Sequence, residues 1–170
     1  LQATLRGEAL RDQDCATCIT WCNRLLFRST TPEKFATLFY CVLDTREHRI
    51  CYCNAGHEHP LVMTAAGAVR TLADVGGIPI GMIEDVSYDL GRAELAPGEL
   101  LVAYSDGVTD MANSVDEPFG TEALVATIRD HAHDAAASIA AAVIDAVRCH
   151  AEGEPPFDDV TILVVKRDPA

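Results

Sequence analysis

Leu100-Leu101-Val102-Ala103-Tyr104-Ser105-Asp106-Gly107 is the stretch that decides the fold. Five apolar residues in a row, entered through the turn Pro97-Gly98, read as a strand buried on both faces. The strand stops at Ser105-Asp106-Gly107, where polar and small residues replace the apolar run. A second such run, Val160 to Val165 (VTILVV), is immediately preceded by Asp158-Asp159. If the two strands are antiparallel neighbours, the end of one and the start of the other share a sheet edge. Carboxylates distant in sequence then converge there, and Gly107 permits a tight turn or close approach. Clustered carboxylates are costly without a cation, and hard divalent ions such as Mg²⁺ or Mn²⁺ favour such oxygen donors. The plainer alternative is that Asp is common where strands end and Asp-Gly is a frequent turn dipeptide.

Working outward, residues 1–12 and 15–28 read as two helices, from Leu1, Leu5 and Ala9 and from Ile19, Cys22, Leu25 and Leu26. Arg11-Asp12-Gln13-Asp14 separates them, with Asp14 as N-cap of the second, and Pro32 ends helical structure. The period then changes to two. Thr37–Leu43 and Arg49–Cys53 flank a polar stretch, Asp44 to His48, as a hairpin. Leu61–Met63 and Ala68–Leu72 form a second around Ala65-Ala66-Gly67. Gly76 to Gly81 reads as loop, a substrate-access loop or a plain connection, and Val86–Leu95 as an exposed strand. From about Thr121 to His150 two Ala-rich helices are expected, breaking near His131 to Ala135. The pattern is a single α+β domain over 1–170 with mainly antiparallel sheet.

The 170 residues carry 26 acidic and 13 basic side chains, a formal net charge of −13. That balance argues against nucleic acid and anionic membranes as partners. No apolar run reaches membrane-spanning length and no signal peptide opens the chain, which points to the cytoplasm. Seven cysteines, an odd number, read as reduced thiols. Cys15, Cys18 and Cys22 could make a zinc or iron–sulfur site. Their spacing also places them on one helix face, and Cys51 and Cys53 share one strand face, which favours apolar packing.

Six short motifs occur in order: Asn54-Ala55-Gly56-His57 with Pro60, Gly77-Ile78-Pro79-Ile80-Gly81, Pro97-Gly98-Glu99, Tyr104-Ser105-Asp106-Gly107-Val108-Thr109, Phe119-Gly120, and Phe157-Asp158-Asp159-Val160-Thr161. Together they resemble the SpoIIE/RsbU-type bacterial branch of the PPM (PP2C-like) serine/threonine phosphatases. The resemblance implies a four-layer αββα sandwich with two Mn²⁺ or Mg²⁺ ions at one edge in the complete domain. It implies that a metal-bridging water hydrolyses phosphoserine or phosphothreonine. By matching motifs, Asp106 and Asp158 are the metal-binding catalytic aspartates, and Asp159 stands beside the second. Gly107 and His57 are candidate substrate contacts, with a turn-stabilising hydrogen bond as the alternative for His57. Implied partners are a phosphorylated signalling protein, such as an anti-sigma-factor antagonist, an upstream sensor domain, and a second copy of the chain. Residues 1–28 correspond to a helical segment beside the active-site edge that can move or dimerise, or simply to a helical layer.

Two departures stand out. The family's Asp-Val-Ser-Gly-His-Gly-like first metal motif is absent, so the chain is expected to lack the family's first strands and to expose a sheet edge. Glu58-His59 replaces the usual Asn-Pro after His57. The first departure motivates an alternative function, an inactive phosphoprotein-binding or dimerisation module.

Overall fold

The computed structural model describes residues 2–9, 14–31, 33–156 and 158–169, with the side chains of Ala3, Thr4, Glu8 and Ala9 excepted. The expected helical contacts of Leu1 and Ala9, the linker at 11–13, the stop at Pro32 and the motif residue Phe157 lie outside the described residues. The chain divides into two compact units, Leu1–His59 with Leu72–Glu94, and Pro60–Thr71 with Leu95–Ala170.

In the first unit, helices α1 (Gln2–Ala9) and α2 (Cys15–Ser29) accompany a three-stranded antiparallel sheet. Its order is β1 (Leu38–Asp44), β2 (Arg49–Ala55), β5 (Gly91–Glu94). Asp14 caps α2, its Oδ1 accepting from the Thr17 N–H at 2.9 Å. The β1–β2 hairpin turns on Asp44, whose Oδ1 accepts from the N–H groups of Arg46 and Glu47. The core is built from Cys15, Ile19, Cys53, Ala55, Ile80 and Tyr88. Cys18 and Cys22 are buried too, so the regular spacing along α2 is that of a packing face. Among the described residues no three His, Cys, Asp or Glu side chains converge as a metal cage.

Asn23, fully buried on α2, holds the 76–90 segment. Its Nδ2 donates to the carbonyls of Ile83 and Glu84, and its Oδ1 accepts from the Gly81 N–H at 2.8 Å and from the Tyr88 hydroxyl. This explains a difference from the sequence reading. Only Gly91–Glu94 of the expected strand 86–95 forms a ladder, opposite Tyr52 to Arg49. Upstream, Tyr88 leaves the sheet to bury its ring against Gly77 and turn its hydroxyl toward Asn23.

The second unit holds a four-stranded antiparallel sheet, ordered β4 (Val69–Thr71), β3 (Leu61–Met63), β6 (Leu100–Tyr104), β7 (Ile162–Lys166). Helices α4 (Gly120–Asp130) and α5 (Ala136–His150) cover one face, as the Ala-rich periodicity predicts. Leu100, Val102 and Tyr104 pack with Leu124, Ile128, Ile139, Val143 and Val147. Leu101, pointing the opposite way, is buried as well, as expected for an unbroken apolar strand. β1 and β7 are end strands of their sheets, and they leave Val42 (49%) and Leu163 (54%) exposed. No helix among the described residues is long and apolar enough to cross a membrane.

Candidate active site

β6 and β7 are antiparallel neighbours in the register Leu100↔Lys166 to Tyr104↔Ile162. That register brings the residues after Tyr104 beside those before Ile162. Ser105 closes the junction. Its N–H donates to the Thr161 carbonyl at 3.0 Å, its hydroxyl donates to the Asp159 carbonyl at 2.8 Å, and the same oxygen accepts from the Thr161 N–H at 2.9 Å.

The chain then enters a single helical turn, α3 (Asp106–Thr109), where the sequence suggests only a turn. Gly107 is buried in it, packed on the incoming segment. A Cβ on Gly107 would stand 2.5 Å from the Asp159 carbonyl oxygen and 3.3 Å from that of Asp158. Glycine is required here by close backbone approach, not by an unusual φ.

These constraints gather Asp106, Gly107, Asp110, Met111 and Asp158 around one small cleft of about 70 Å³. Three of the five lining residues are carboxylates and none is basic. One oxygen of Asp106 accepts from the Gly107 N–H at 2.9 Å, and one of Asp158 accepts from the Asp159 N–H at 2.6 Å. Each carboxylate is thus oriented by its neighbour's backbone. The donor set is all oxygen and anionic, without thiol or imidazole, the ligand type hard divalent cations prefer, although the three carboxylates do not close into a cage by themselves. Such an ion needs only one or two carboxylates when water and phosphate supply the rest.

The structure brings Asp106, Asp158 and Gly107 together. Asp159 supplies its carbonyl to the junction and is among the residues lining an adjoining groove. Asp110 was not singled out from sequence. It follows Asp106 at i+4, a spacing that places both on one helix face, and its N–H donates to the Asp106 carbonyl at 2.8 Å. That signal is visible only once residues 106–109 are known to be helical.

His57 belongs to the first unit. Its N–H donates to the Oδ1 of buried Asn54 at 2.8 Å, and the Asn54 Nδ2 returns a bond to the His57 carbonyl at 2.9 Å. The turn between them places Gly56 at φ +72° with Pro79 against it, so the Asn-Ala-Gly-His motif is a closed local turn. The imidazole Nδ1 lies 3.4 Å from the Thr37 hydroxyl.

Comparison with known proteins gives a consistent result. Residues 1–168 match the family described as Stage II sporulation protein E (SpoIIE). Protein IcfG of Synechocystis sp. is 32% identical over 134 residues, which cover 79% of this chain and 21% of that protein. Phosphoserine phosphatase RsbP of Bacillus subtilis is 26% identical over 131 residues, covering 77% of this chain and 30% of RsbP. The chain therefore spans about a fifth to a third of these two relatives. The SiaA-PP2C domain of Pseudomonas aeruginosa superimposes with a TM-score of 0.81 at 23% identity, over 98% of this chain and 67% of that one. The ordered motifs, the antiparallel α+β architecture and the near-complete family match converge, and the chain belongs to the SpoIIE family, with the fold of a PPM-type (PP2C) phosphatase domain.

Proposed function

We propose that this chain is the catalytic part of a metal-dependent protein phosphatase that hydrolyses phosphoserine or phosphothreonine on a signalling protein. The observation that carries this reading is the convergence of Asp106 and Asp158 at the joined ends of β6 and β7. The name of RsbP, a phosphoserine phosphatase, supports the reaction class. An anti-sigma-factor antagonist is the substrate class that the family resemblance implies.

Asp106 and Asp158 would hold Mn²⁺ or Mg²⁺, with Asp110 on the same cleft. When bound, such an ion supplies positive charge against the phosphoryl oxygens and lowers the pKa of water. The chain's own groups do the rest. Backbone N–H groups fix the orientation of both carboxylates. Buried Met111 forms an apolar wall that limits water in the cleft. The Ser105 hydroxyl is committed to Asp159 and Thr161, and the Thr109 hydroxyl donates to the Asp106 carbonyl at 3.2 Å. Water as the attacking group is what the family resemblance implies, in line with phosphoryl transfer by positioning and charge.

The test is Mn²⁺-dependent turnover of a phosphoserine protein and of p-nitrophenyl phosphate, with Asp106→Asn alongside. Loss of turnover in a folded Asp106→Asn protein supports the reading, and equal turnover sinks it. Phosphoprotein binding without turnover in the unaltered protein would make the chain a binding module instead.

A further inference from the structure

Beside the acidic cleft lies a larger groove of about 400 Å³, with Met111 and Asp158 lining both. The groove runs between the last two turns of α5 and the described residues of 153–156 and 158–160. Its floor is apolar: Val147 is 1% exposed and Ala151 4%, with half-buried Ile144 and Val160 beside them. Its lips are charged and unlike. Glu154 and Asp159 line one side, and Arg148 stands on α5. Arg148 is paired only loosely, its Nη1 3.7 Å from Asp145 Oδ1, with both side chains 76% exposed. A surface pair of that kind contributes little and yields readily to another anion.

We propose that this groove docks the polypeptide flanking the phosphoserine. An apolar side chain one or two residues from the phosphoserine sits against Val147 and Ala151, and a neighbouring acidic side chain engages Arg148. The assignment rests on the phosphatase reading, since it is a phosphoseryl group in the cleft that carries its flanking chain over Met111 into the groove. The volume lies in the range of pockets that enclose side chains and small ligands, and an apolar floor with a few polar groups at its rim is the usual composition of such sites. Arg148 also offers an anionic substrate the one positive charge among the residues lining cleft and groove. In a chain of net charge −13, that charge selects where a phosphorylated segment can approach.

The experiment measures fluorescence anisotropy of labelled phosphoserine peptides on this chain with Mn²⁺. One peptide carries an adjacent Leu and Glu, a second replaces Leu with Ser, and a third replaces Glu with Gln. Removing the Leu is expected to weaken binding about tenfold, the low end for losing one buried apolar side chain. Ile144→Glu should abolish that Leu preference, and Arg148→Gln, at an exposed position, should abolish the Glu preference alone. Both variants should hydrolyse p-nitrophenyl phosphate at the unaltered rate, because neither residue lines the acidic cleft. Equal affinity for the three peptides, no binding of any, or losses in Ile144→Glu that ignore the Leu would overturn the docking proposal. A retained Leu preference without hydrolysis of p-nitrophenyl phosphate would instead overturn the phosphatase reading and leave the groove assignment standing.

Discussion

The Ser105 hydroxyl donates to the Asp159 carbonyl at 2.8 Å, tying the end of β6 to the residue pair that carries Asp158. The same oxygen accepts from Thr161, so one small side chain satisfies two backbone groups across the junction. Ser105→Ala removes both bonds and should cost about 1–2 kcal/mol of stability, the range for two partly exposed hydrogen bonds. It should also weaken Mn²⁺ binding by letting Asp158 drift from Asp106. Chemical denaturation together with calorimetric Mn²⁺ titration checks both, and unchanged Mn²⁺ affinity would separate the latch from the site.

Gly107→Ala places a methyl group 2.5 Å from the Asp159 carbonyl oxygen and 3.3 Å from that of Asp158, so the main chain at 158–159 must shift. An overpacked contact with main chain costs on the order of 1–3 kcal/mol. The expected result is a melting temperature lowered by several degrees and turnover reduced far more than the fold loss alone explains. Full turnover in this variant would show that the junction is looser than its geometry implies.

Asn23→Ala should be among the more damaging single changes. It leaves the Gly81 N–H and the carbonyls of Ile83 and Glu84 without the amide that joins them to α2. Loss of a fully buried polar hub costs about 2–4 kcal/mol. Urea unfolding measures this directly, and a loss under 1 kcal/mol would indicate that water replaces the amide.

Alkaline pH should destabilise the protein. Burial pushes the thiols of Cys15 and Cys53 from an ordinary value of 9.0 up to about 12, helped by neighbouring cysteines. Burial likewise pushes the Tyr88 hydroxyl from 10.0 to about 12. Below pH 9 the folded and unfolded thiols are both protonated and their contribution is intact. Above it the unfolded chain releases protons that the folded chain keeps, so stability falls as pH rises from about 9 toward 12. Melting temperatures across pH 8 to 10.5 should decline progressively. Alkylation at neutral pH followed by mass spectrometry should mark exposed Cys149 well before Cys15 or Cys53.

Much of this architecture is legible because the apolar strands carry their own signature. Leu100–Tyr104 and Val160–Val165 are continuous runs that few other elements could accommodate, and their pairing brings Asp106 to Asp158. The helix break at 131–135 and the packing face of Cys15, Cys18 and Cys22 follow from periodicity in the same way. What local pattern misses is set by partners remote in sequence. Residues 86–90 alternate like a strand, yet Tyr88 is drawn off by Asn23 on α2. A single helical turn at 106–109 is too short to show a period, so Asp110 passes as a loop residue. The motif marks Asp159 but carries no sign that its carbonyl also accepts from Ser105, a contact set by the β6–β7 register.

The register between β6 and β7 also has a kinetic meaning. Ser105 and Asp159 are 54 residues apart, with both long helices of their unit between them. Contacts this distant in sequence form more slowly than local ones, so the β6–β7 junction is expected to form after α4 and α5, an order that φ-values at Ser105 and Leu124 would check. A chain cut before Ile162 would keep Asp158 but lack the β7 ladder that sets it beside Asp106, so Mn²⁺ binding at this cleft is expected to require β7.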